Sequence, residues 1–316
     1  MRVALLIAWL LVGAEPAQRR EPVVYASNER GNTVTVISTK TNAVVATIPV
    51  GKRPRGMSVS PDRMTVYVAL GEDDAVGVID VAQRAMVATI PVGVDPEQVV
   101  LSPDGKTLYV SNEQTSMATA VDIARRQVLF AVAVGVEPEG VAVTPDGAKL
   151  YVTAETDHNV SVIDARAGRE IRRVPVGNRP RWVTVSSDGA RAYVTAEIGG
   201  NVSIVDVATD SVIATIPIGA GDTKPVGVVV SPDGRWVYVA EGRGAQVRVI
   251  DAARNAVIDS IPVGRRPWGI ALSPDATRLY TAEGASNTVS VIDTGARRLI
   301  ATVAVGEKPY GVLYVP

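Results

Sequence analysis

Charged residues flank a proline that returns at a nearly fixed interval, and the sign of the charge changes from one copy to the next. Carboxylates and guanidiniums that meet at one place can bind a polar ligand, and two carboxylates with separated pKa values can act as acid and base. We therefore take Glu97 and Glu139 as a candidate acid–base pair. The residues before and after the proline are, in chain order, Arg53 and Arg55, Asp95 and Glu97, Glu137 and Glu139, Arg179 and Arg181, Lys224 and Val226, Arg266 and Trp268, and Lys308 and Tyr310.

Two interpretations of this pattern stay open. In the first, Glu97 and Glu139 pair with Arg55 and Arg181 as exposed ion pairs, which contribute little stability and mainly fix geometry. In the second, the charged and aromatic side chains converge on a ligand or a protein partner. The candidate binding residues are Arg53, Arg55, Asp95, Glu97, Glu137, Glu139, Arg179, Arg181, Arg266, Trp268 and Tyr310.

Other reactive groups are scarce. The chain has one histidine, His158, and no cysteine, so neither a histidine cluster for a metal nor a Cys-ligated cofactor is available. We predict no metal site and no cofactor. A glutamate also recurs after the second strand of each repeat, which indicates a structural role in every repeat, because Ca²⁺ needs six to eight oxygens at one point. These residues are Glu29, Glu72, Glu113, Glu155, Glu197, Glu241 and Glu283.

The elements that position these residues come from an internal repeat. The repeat length is 42 residues except for one step of 45, and a second marker, which ends the "VID" phrase, keeps the same spacing. Repeats of about 40–45 residues with four strands each are typical of β-propeller blades. The marker prolines are Pro54, Pro96, Pro138, Pro180, Pro225, Pro267 and Pro309.

The ends of the chain predict how the ring closes. The N-terminal part has the second, third and fourth strands of a repeat, whereas residues 310–316 supply only a first strand. We therefore predict an all-β, seven-bladed β-propeller of four-stranded antiparallel blades. The C-terminal innermost strand should join the three N-terminal strands, which leaves the ring without a free edge.

The N-terminus has the layout of a secretory signal peptide. A basic residue, Arg2, precedes an apolar run from Val3 to Val12 that is too short to span a bilayer. We predict a signal peptide over residues 1–14 with cleavage near Ala14, a linker over 15–21 and one propeller domain over 22–316. The mature protein is then periplasmic or secreted and has no stable membrane insertion.

Short phrases resemble a known family. "LYVSNE", "LYVTAE", "AYVTAE" and "VSVIDT" resemble the YVTN-type β-propeller repeats of exported bacterial and archaeal proteins, over about residues 22–316. A narrower likeness, carried by "GKRPRGMSVSPD" and "NRPRWVTVSSDG", is to the propellers encoded beside pyrroloquinoline-quinone-dependent alcohol oxidation systems. That likeness implies a periplasmic accessory protein and brings no catalytic residues. The tryptophans do not repeat blade by blade, so we predict no quinone binding.

Three functions are compatible with this pattern. The first is a non-enzymatic, exported binding or scaffold protein that presents the charged channel mouth to a periplasmic protein or a small ligand. The second is a lactonase or lyase that uses the mouth carboxylates, and the third is a surface-layer or adhesion module. The formal net charge of −1 disfavours nucleic acid as a partner. We expect a monomer.

Overall fold

A computed structural model describes residues 21–219 and 223–316, so the predicted signal peptide, its cleavage site near Ala14 and most of the predicted linker lie outside the described residues. Over these ranges the chain forms twenty-eight strands in seven four-stranded antiparallel sheets. The helical segments that accompany them are two short 3-10 turns. None of the described helices has the length and apolar character needed to cross a membrane. The predicted seven-bladed propeller is confirmed.

The strands run from the channel outward in each blade, and blades I to VII are numbered from the one that holds both chain ends. The innermost strands are β28 (Pro309–Val315), β4 (Pro54–Val59), β8 (Pro96–Leu101), β12 (Pro138–Val143), β16 (Pro180–Val185), β20 (Pro225–Val230) and β24 (Pro267–Leu272). The second strands are β1 (Val23–Asn28), β5 (Thr65–Leu70), β9 (Thr107–Asn112), β13 (Lys149–Ala154), β17 (Arg191–Ala196), β21 (Trp236–Glu241) and β25 (Arg278–Glu283).

The outer half of each blade follows the same order. The third strands are β2 (Thr33–Ser38), β6 (Ala75–Asp80), β10 (Met117–Asp122), β14 (Asn159–Asp164), β18 (Asn201–Asp206), β22 (Gln246–Asp251) and β26 (Thr288–Asp293). The outermost strands are β3 (Val44–Pro49), β7 (Ala85–Pro91), β11 (Gln127–Ala133), β15 (Arg169–Pro175), β19 (Ser211–Pro217), β23 (Ala256–Pro262) and β27 (Arg298–Ala304).

Blade I closes the ring as the sequence predicts. Strand β28 pairs antiparallel with β1, with Val315 opposite Val23 and Val312 opposite Ala26. Innermost strands of neighbouring blades contact one another around the whole ring, including β28 with β4 and with β24. The two ends of the chain therefore hold the first and last blades together without a free inner edge.

The core lies between blades, because a single sheet cannot bury both of its faces. Seven apolar clusters each join two neighbouring blades, and most of their members are Val, Ile, Leu and Ala. β-Branched side chains suit such a pleated, buried surface. A tyrosine of the second strand is buried in every blade and adds a large apolar ring to each layer. These residues are Tyr25, Tyr67, Tyr109, Tyr151, Tyr193, Tyr238 and Tyr280.

Short polar side chains stabilise the turns on the face opposite the channel mouth. In the Pro-Asp turn of blade III, the Ser102 hydroxyl donates to Asp104 at 2.6 Å, and Asp104 accepts the backbone N–H of Lys106 at 3.1 Å. The "VID" aspartates act similarly, since Asp80 accepts the backbone N–H of Gln83 at 2.7 Å. In blade I the hydroxyl of Ser38 takes that role. Side-chain hydrogen bonds of this kind make each turn locally determined.

Candidate functional site at the channel mouth

The channel mouth has the same backbone frame in all seven blades. The residue before each marker proline has a left-handed φ between 50° and 58°. Its carbonyl oxygen accepts a hydrogen bond at 2.8 to 3.1 Å from a backbone N–H of the same blade. The donor is the first residue of the loop between the second and third strands, which we call the loop-opening residue. Charge can therefore vary at these positions while the connections keep one shape. The loop-opening residues are Glu29, Gly71, Glu113, Glu155, Glu197, Gly242 and Gly284.

This frame corrects the expectation of a glutamate in every blade. Glu72, Glu241 and Glu283 are not equivalent to the other four glutamates, because Gly71, Gly242 and Gly284 make the backbone bond of the loop-opening position. Glu241 and Glu283 are the last residues of β21 and β25, and both are buried there. The mouth therefore carries four loop-opening carboxylates in blades I, III, IV and V. Glu72, Glu241 and Glu283 are each one residue away from the loop-opening glycine, so the sequence pattern alone did not distinguish them from the other four glutamates.

The seven residues that follow the marker prolines are all buried and close the channel as a plug. Their side chains contact one another across the channel, not only between neighbouring blades. The guanidinium carbon of Arg55 lies 4.0 Å from the centroid of the Tyr310 ring, and the Tyr310 hydroxyl donates to Glu139 Oε2 at 3.1 Å. The plug residues are Arg55, Glu97, Glu139, Arg181, Val226, Trp268 and Tyr310.

Ion pairs hold the charged part of the plug. Glu97 pairs with Arg55 and, at 2.7 Å, with Arg53, while Glu139 pairs with Arg181 and, at 3.4 Å, with Arg55. Glu97 is 0 % exposed and Glu139 is 2 % exposed. The pairing expected from the sequence is therefore present, but it is buried, not exposed. Loss of one partner from a buried pair leaves an uncompensated charge and is strongly destabilising.

A second tier of charges surrounds the plug. Arg181 also contacts Glu155 and, at 2.8 Å, Glu197, and Arg179 contacts the same two carboxylates at 2.6 and 3.4 Å. On the other side Arg55 contacts Glu29 at 3.1 Å. We call the whole set the paired network. Its members are Glu29, Arg53, Arg55, Asp95, Glu97, Glu113, Glu139, Glu155, Arg179, Arg181, Glu197 and Lys308.

One group of carboxylates resembles a metal site in composition. Oxygens of Asp95, Glu97 and Glu113 lie within 4.8 Å of one another. The guanidinium of Arg53 contacts all three, and its Nη2 lies 2.7 Å from Glu97 and 3.5 Å from Glu113. Arg53 therefore supplies the positive charge that a bound cation would supply at this point.

The paired network contains more carboxylates than cations, and this excess appears in the pKa values. Burial and repulsion from Glu139 raise the pKa of Glu155 to about 8, although Arg181 and Arg179 oppose the shift. Burial also raises the pKa of Glu97 well above its usual range. Burial acts on Glu139 as well, but Arg181 and Arg55 together lower its pKa. The network therefore holds protons near neutral pH that isolated carboxyls would release.

His158 has a structural partner in the loop frame. Its Nδ1 lies 2.9 Å from the carbonyl oxygen of Glu155 and 3.2 Å from the backbone nitrogen of Arg179. In blades I and II the side chains of Asn32 and Asp74 accept the equivalent N–H of Arg53 and Asp95, at 3.1 and 3.0 Å. The only histidine of the chain thus occupies a position that Asn or Asp takes elsewhere.

The far side of the mouth opens into a cavity of about 340 Å³ at the blade VI and VII connections. In blades IV and V the loop-opening glutamates contact plug arginine Arg181, whereas Gly242 and Gly284 place no side chain over Val226 and Trp268. A Cβ at Gly284 would lie 3.3 Å from Trp268 Cδ1. The cavity therefore lies where these two glycines replace the glutamate of blades I, III, IV and V, whereas at Gly71 in blade II the side chains of Arg53 and Asp95 occupy the space. We call it the basic cavity.

Cations dominate the lining of the basic cavity. Four of its lining residues are Lys224, Arg243, Arg265 and Arg266, and the indole of Trp268 lies 5.1 Å from the guanidinium carbon of Arg266. Glu197 is the carboxylate in the lining, and both of its arginine contacts reach Oε2. Such an arrangement attracts an anionic ligand and offers it an aromatic face.

The candidate residues from the sequence fall into three groups. Most belong to the paired network, to which Tyr310 bonds through Glu139, while Arg266 and Trp268 line the basic cavity. Glu137 lies in neither: its carboxylate accepts a hydrogen bond from Thr156 at 2.6 Å and lines a separate cavity with His158. Sequence reasoning missed Arg243 and Arg265. The signal that identifies their site is the glycine that replaces glutamate at positions 242 and 284.

A comparison with protein-family models finds a match to part of the chain. A family model described as "Lactonase, 7-bladed beta-propeller" matches residues 167–298, a range that contains every residue of the basic cavity. No curated protein matches the chain. The match covers less than half of the chain.

Solved structures resemble the chain over nearly its whole length. A chain of Kuenenia stuttgartiensis hydrazine synthase is 25 % identical, with a TM-score of 0.79 over 90 % of this chain and 99 % of that one. A protein of unknown function from Desulfotomaculum acetoxidans is 17 % identical, with a TM-score of 0.81 over 92 % and 98 %. A candidate 6-phosphogluconolactonase from Bacteroides fragilis is 19 % identical, with a TM-score of 0.78 over 96 % and 100 %. The last two likenesses show the fold alone.

Proposed function

We propose that the protein hydrolyses a small anionic lactone, of the class of phosphorylated or carboxylated sugar lactones, in the basic cavity. The observation that carries the proposal is the composition of this cavity, in which four cations and an indole face one carboxylate. A volume of about 340 Å³ is at the lower end of the range for small-molecule sites and suits a single sugar acid. The match of the lactonase family model to the same residues supports this substrate class.

The cations have two roles in this proposal. Lys224 and Arg265 hold the anionic group of the substrate, since guanidinium and ammonium groups form strong charge-assisted hydrogen bonds with phosphate and carboxylate. Arg266, beside the Trp268 ring, stabilises the negative charge that develops on the lactone carbonyl oxygen. The indole contacts the apolar face of the sugar ring.

Glu197 supplies the proton transfer. Its carboxylate accepts a proton from a water molecule as the water oxygen bonds to the carbonyl carbon of the lactone. The tetrahedral intermediate then collapses, the bond between carbonyl carbon and ring oxygen breaks, and Glu197 returns the proton to that oxygen. The product is a hydroxy acid, so one lactone and one water are consumed. Arg179 and Arg181 fix the Glu197 carboxylate through Oε2.

The buried plug is a poorer place for this reaction. Glu97 and Glu139 are 0 % and 2 % exposed and pair with arginines. A substrate would reach them only after the plug had opened. The acid–base pair suggested by the sequence is therefore less favourable than Glu197, which already lines a cavity.

The test is lactone turnover with a matched pair of variants. We expect purified protein to hydrolyse 6-phosphogluconolactone faster than uncharged gluconolactone, measured by acid release in an indicator assay. Glu197→Gln should lower kcat by about 10²-fold or more. Glu113→Gln is the control, because Glu113 has the same loop-opening position in blade III but pairs with Arg53, away from the cavity. Turnover of no anionic lactone above the spontaneous rate, or equal rates for both variants, would contradict the proposal.

A binding role without turnover is the second candidate. It is favoured by the state of the mouth carboxylates, most of which are engaged with arginine. In this alternative the exported protein binds a periplasmic protein or a small anion at the mouth, in the context of quinoprotein-linked oxidation. Calorimetry with 6-phosphogluconate separates the two: binding that Arg266→Glu abolishes, without turnover of the lactone, supports the second candidate. Heat of binding unchanged by Arg266→Glu would reject the cavity as the site.

A further inference from the structure

The outer rim of blades III and IV carries a concentration of arginines that the channel mouth does not explain. Six of them lie between residues 125 and 173, on the turns before β11 and β15 and on β15 itself. All six are exposed. The formal net charge of the chain is −1, so this basic surface is a local feature. The arginines are Arg125, Arg126, Arg166, Arg169, Arg172 and Arg173.

Nearby carboxylates balance only part of this charge. Arg125 pairs with Asp122 at 2.6 Å, and Arg173 pairs with Glu170 at 2.9 Å. Arg169 and Arg166 interact electrostatically with Asp164. Among the described residues this leaves Arg126 and Arg172 without a carboxylate partner. Solvated arginines that do not stabilise the fold are available to an external anion.

Exposed aliphatic side chains lie among these arginines. Val128, Leu129 and Ile171 are exposed on β11 and β15, and Leu129 and Ile171 are the extra residues of β-bulges on the two strands. The two blades are joined here by Phe130, since a Cβ at Gly168 would lie 2.7 Å from its ring. The arginines and aliphatic residues thus share one side of the ring.

The other blades provide a comparison within the molecule. Every outermost strand has a bulged aliphatic residue, which protects an edge strand from pairing with another chain. In blade V that residue is Ile213, which is 53 % exposed, close to the 55 % of Leu129. Asp210 and Ser211 precede it, however, and no arginine does. The bulge is a property of the repeat, whereas the number of arginines is highest in blades III and IV, which have six, against Arg254, Arg297 and Arg298 at the same places in blades VI and VII.

We propose that this surface, which we call the rim patch, binds the anionic phospholipid surface of a membrane. The guanidiniums contact lipid phosphates, and the bulged aliphatic residues enter the boundary between headgroups and acyl chains. Each basic residue near an anionic bilayer contributes about 1 kcal/mol, so a patch with Arg126, Arg172 and four partly balanced arginines gives reversible peripheral binding. With the rim on the bilayer, the channel axis lies parallel to the membrane and the mouth stays open to water.

The composition of the rim patch favours lipid over nucleic acid. Proteins that bind single strands usually stack bases on aromatic rings, and the one aromatic residue between these strands, Phe130, packs against Gly168. Aliphatic residues flanked by arginines instead resemble the surface of an interfacial protein.

The experiment is co-sedimentation of the whole protein with vesicles. We expect binding to vesicles of phosphatidylglycerol and phosphatidylcholine, and none to phosphatidylcholine alone. Binding should weaken as salt rises to about 1 M, where the Debye length is about 3 Å. The double variant Arg126→Glu with Arg172→Glu should lower the partition coefficient by about 10-fold or more. The matched control is Arg254→Glu with Arg298→Glu, which changes exposed arginines on the rim of blades VI and VII.

A second pair of variants separates charge from insertion. Leu129→Asp should weaken vesicle binding several-fold, whereas Ile213→Asp, at the same bulge in blade V, should leave it unchanged. Because these side chains are exposed, both variants should fold normally, and circular dichroism of each variant checks this. No enrichment on phosphatidylglycerol vesicles would overturn the proposal, as would equal losses in both members of either pair. Tighter retention on single-stranded DNA or on an acidic protein than on vesicles would also overturn it, in favour of that partner.

Discussion

The two sides of the channel mouth share a backbone and differ in chemistry. Over blades II to V the plug positions carry arginines and glutamates, and the loop positions of blades III to V carry glutamates. These charges neutralise one another in a buried network. Over blades VI and VII the loop positions are Gly242 and Gly284, and the space above Val226 and Trp268 is a cavity lined by cations. One side uses charge for internal contacts. The other leaves charge available to a ligand.

The difference arises from few residues, because the loop hydrogen bonds and the left-handed residue before each proline are the same on both sides. A repeated scaffold thus allows one blade to change without distorting its neighbours. If the paired side is structural and the open side functional, substitutions on the paired side should change stability and those on the open side should change ligand binding.

The largest expected effect is on the paired side. Arg181→Gln removes the cation that contacts Glu139, Glu155 and Glu197, so buried carboxylates lose a partner. We expect the free energy of unfolding to fall by about 3–5 kcal/mol, measured by chemical denaturation.

The control for this variant keeps the same partners. Arg179 contacts the same Glu155 and Glu197, but 43 % of its side chain is exposed to solvent. Arg179→Gln should therefore lower the free energy of unfolding by about 1 kcal/mol or less. If both variants had the same small effect, burial would not distinguish the network from ordinary surface ion pairs.

A smaller effect on the same side is a dependence of stability on pH. Glu155 has a pKa raised to about 8 by burial and by Glu139, with Arg181 and Arg179 opposing. A carboxyl whose folded pKa lies above its unfolded value stabilises the protein fully below the unfolded value, and this contribution is lost as pH rises through the folded pKa. Stability should therefore fall between about pH 5 and pH 9.

The variant that tests this is Glu155→Gln, which resembles the protonated form. Its unfolding free energy should change less with pH than that of the natural protein, although a slope should remain. Burial raises the pKa of Glu283 to about 7 as well, despite hydrogen bonds from Thr281 and Thr288, so a second carboxyl titrates in this window. An unchanged slope in Glu155→Gln would mean that other groups carry the dependence.

Much of the fold could be predicted from the sequence, because each repeat contains residues that determine the structure of their own turn or strand. Aspartates that accept backbone N–H groups, such as Asp80, and a tyrosine in every second strand mark each blade. The missing first strand at the N-terminus and the extra one at the C-terminus predicted the pairing of β28 with β1. Export, the YVTN-type resemblance and the monomeric state stay predictions.

The site was harder to predict from the sequence, because its burial and its ion pairs depend on contacts across the ring. The sequence identified Arg55, Glu97 and Glu139 as neighbours in the repeat, but not that Tyr310, 171 residues from Glu139, bonds to it through the channel. It also placed Glu241 and Glu283 in register with Glu197, one residue off. Burial converts the expected exposed pairs into a network that holds protons, and burial cannot be derived from spacing alone.

On the open side we expect that one glycine can be replaced to close the site. Gly242→Glu restores the carboxylate that other blades have, and its charge would oppose an anionic ligand. The affinity for 6-phosphogluconate should fall by about 10-fold or more, which corresponds to about 1.4 kcal/mol, in calorimetry. Gly242→Gln has the same size without the charge, so it should weaken binding less. Equal losses in both would show that volume, and not charge, excludes the ligand.

The smallest effect should come at the border between the two sides. Lys308 contacts Glu29 at 2.9 Å, and 35 % of its side chain is exposed. Lys308→Gln should lower the free energy of unfolding by about 0.5 kcal/mol, because solvent screens this ion pair and Arg55 still neutralises Glu29. A loss of unfolding free energy close to that of Arg181→Gln would mean that the carboxylates are electrostatically coupled, so that removal of any one cation destabilises the whole network. The paired side would then be a single cooperative unit up to the edge of the basic cavity, and its contact with Glu197 would link that unit to the proposed reaction.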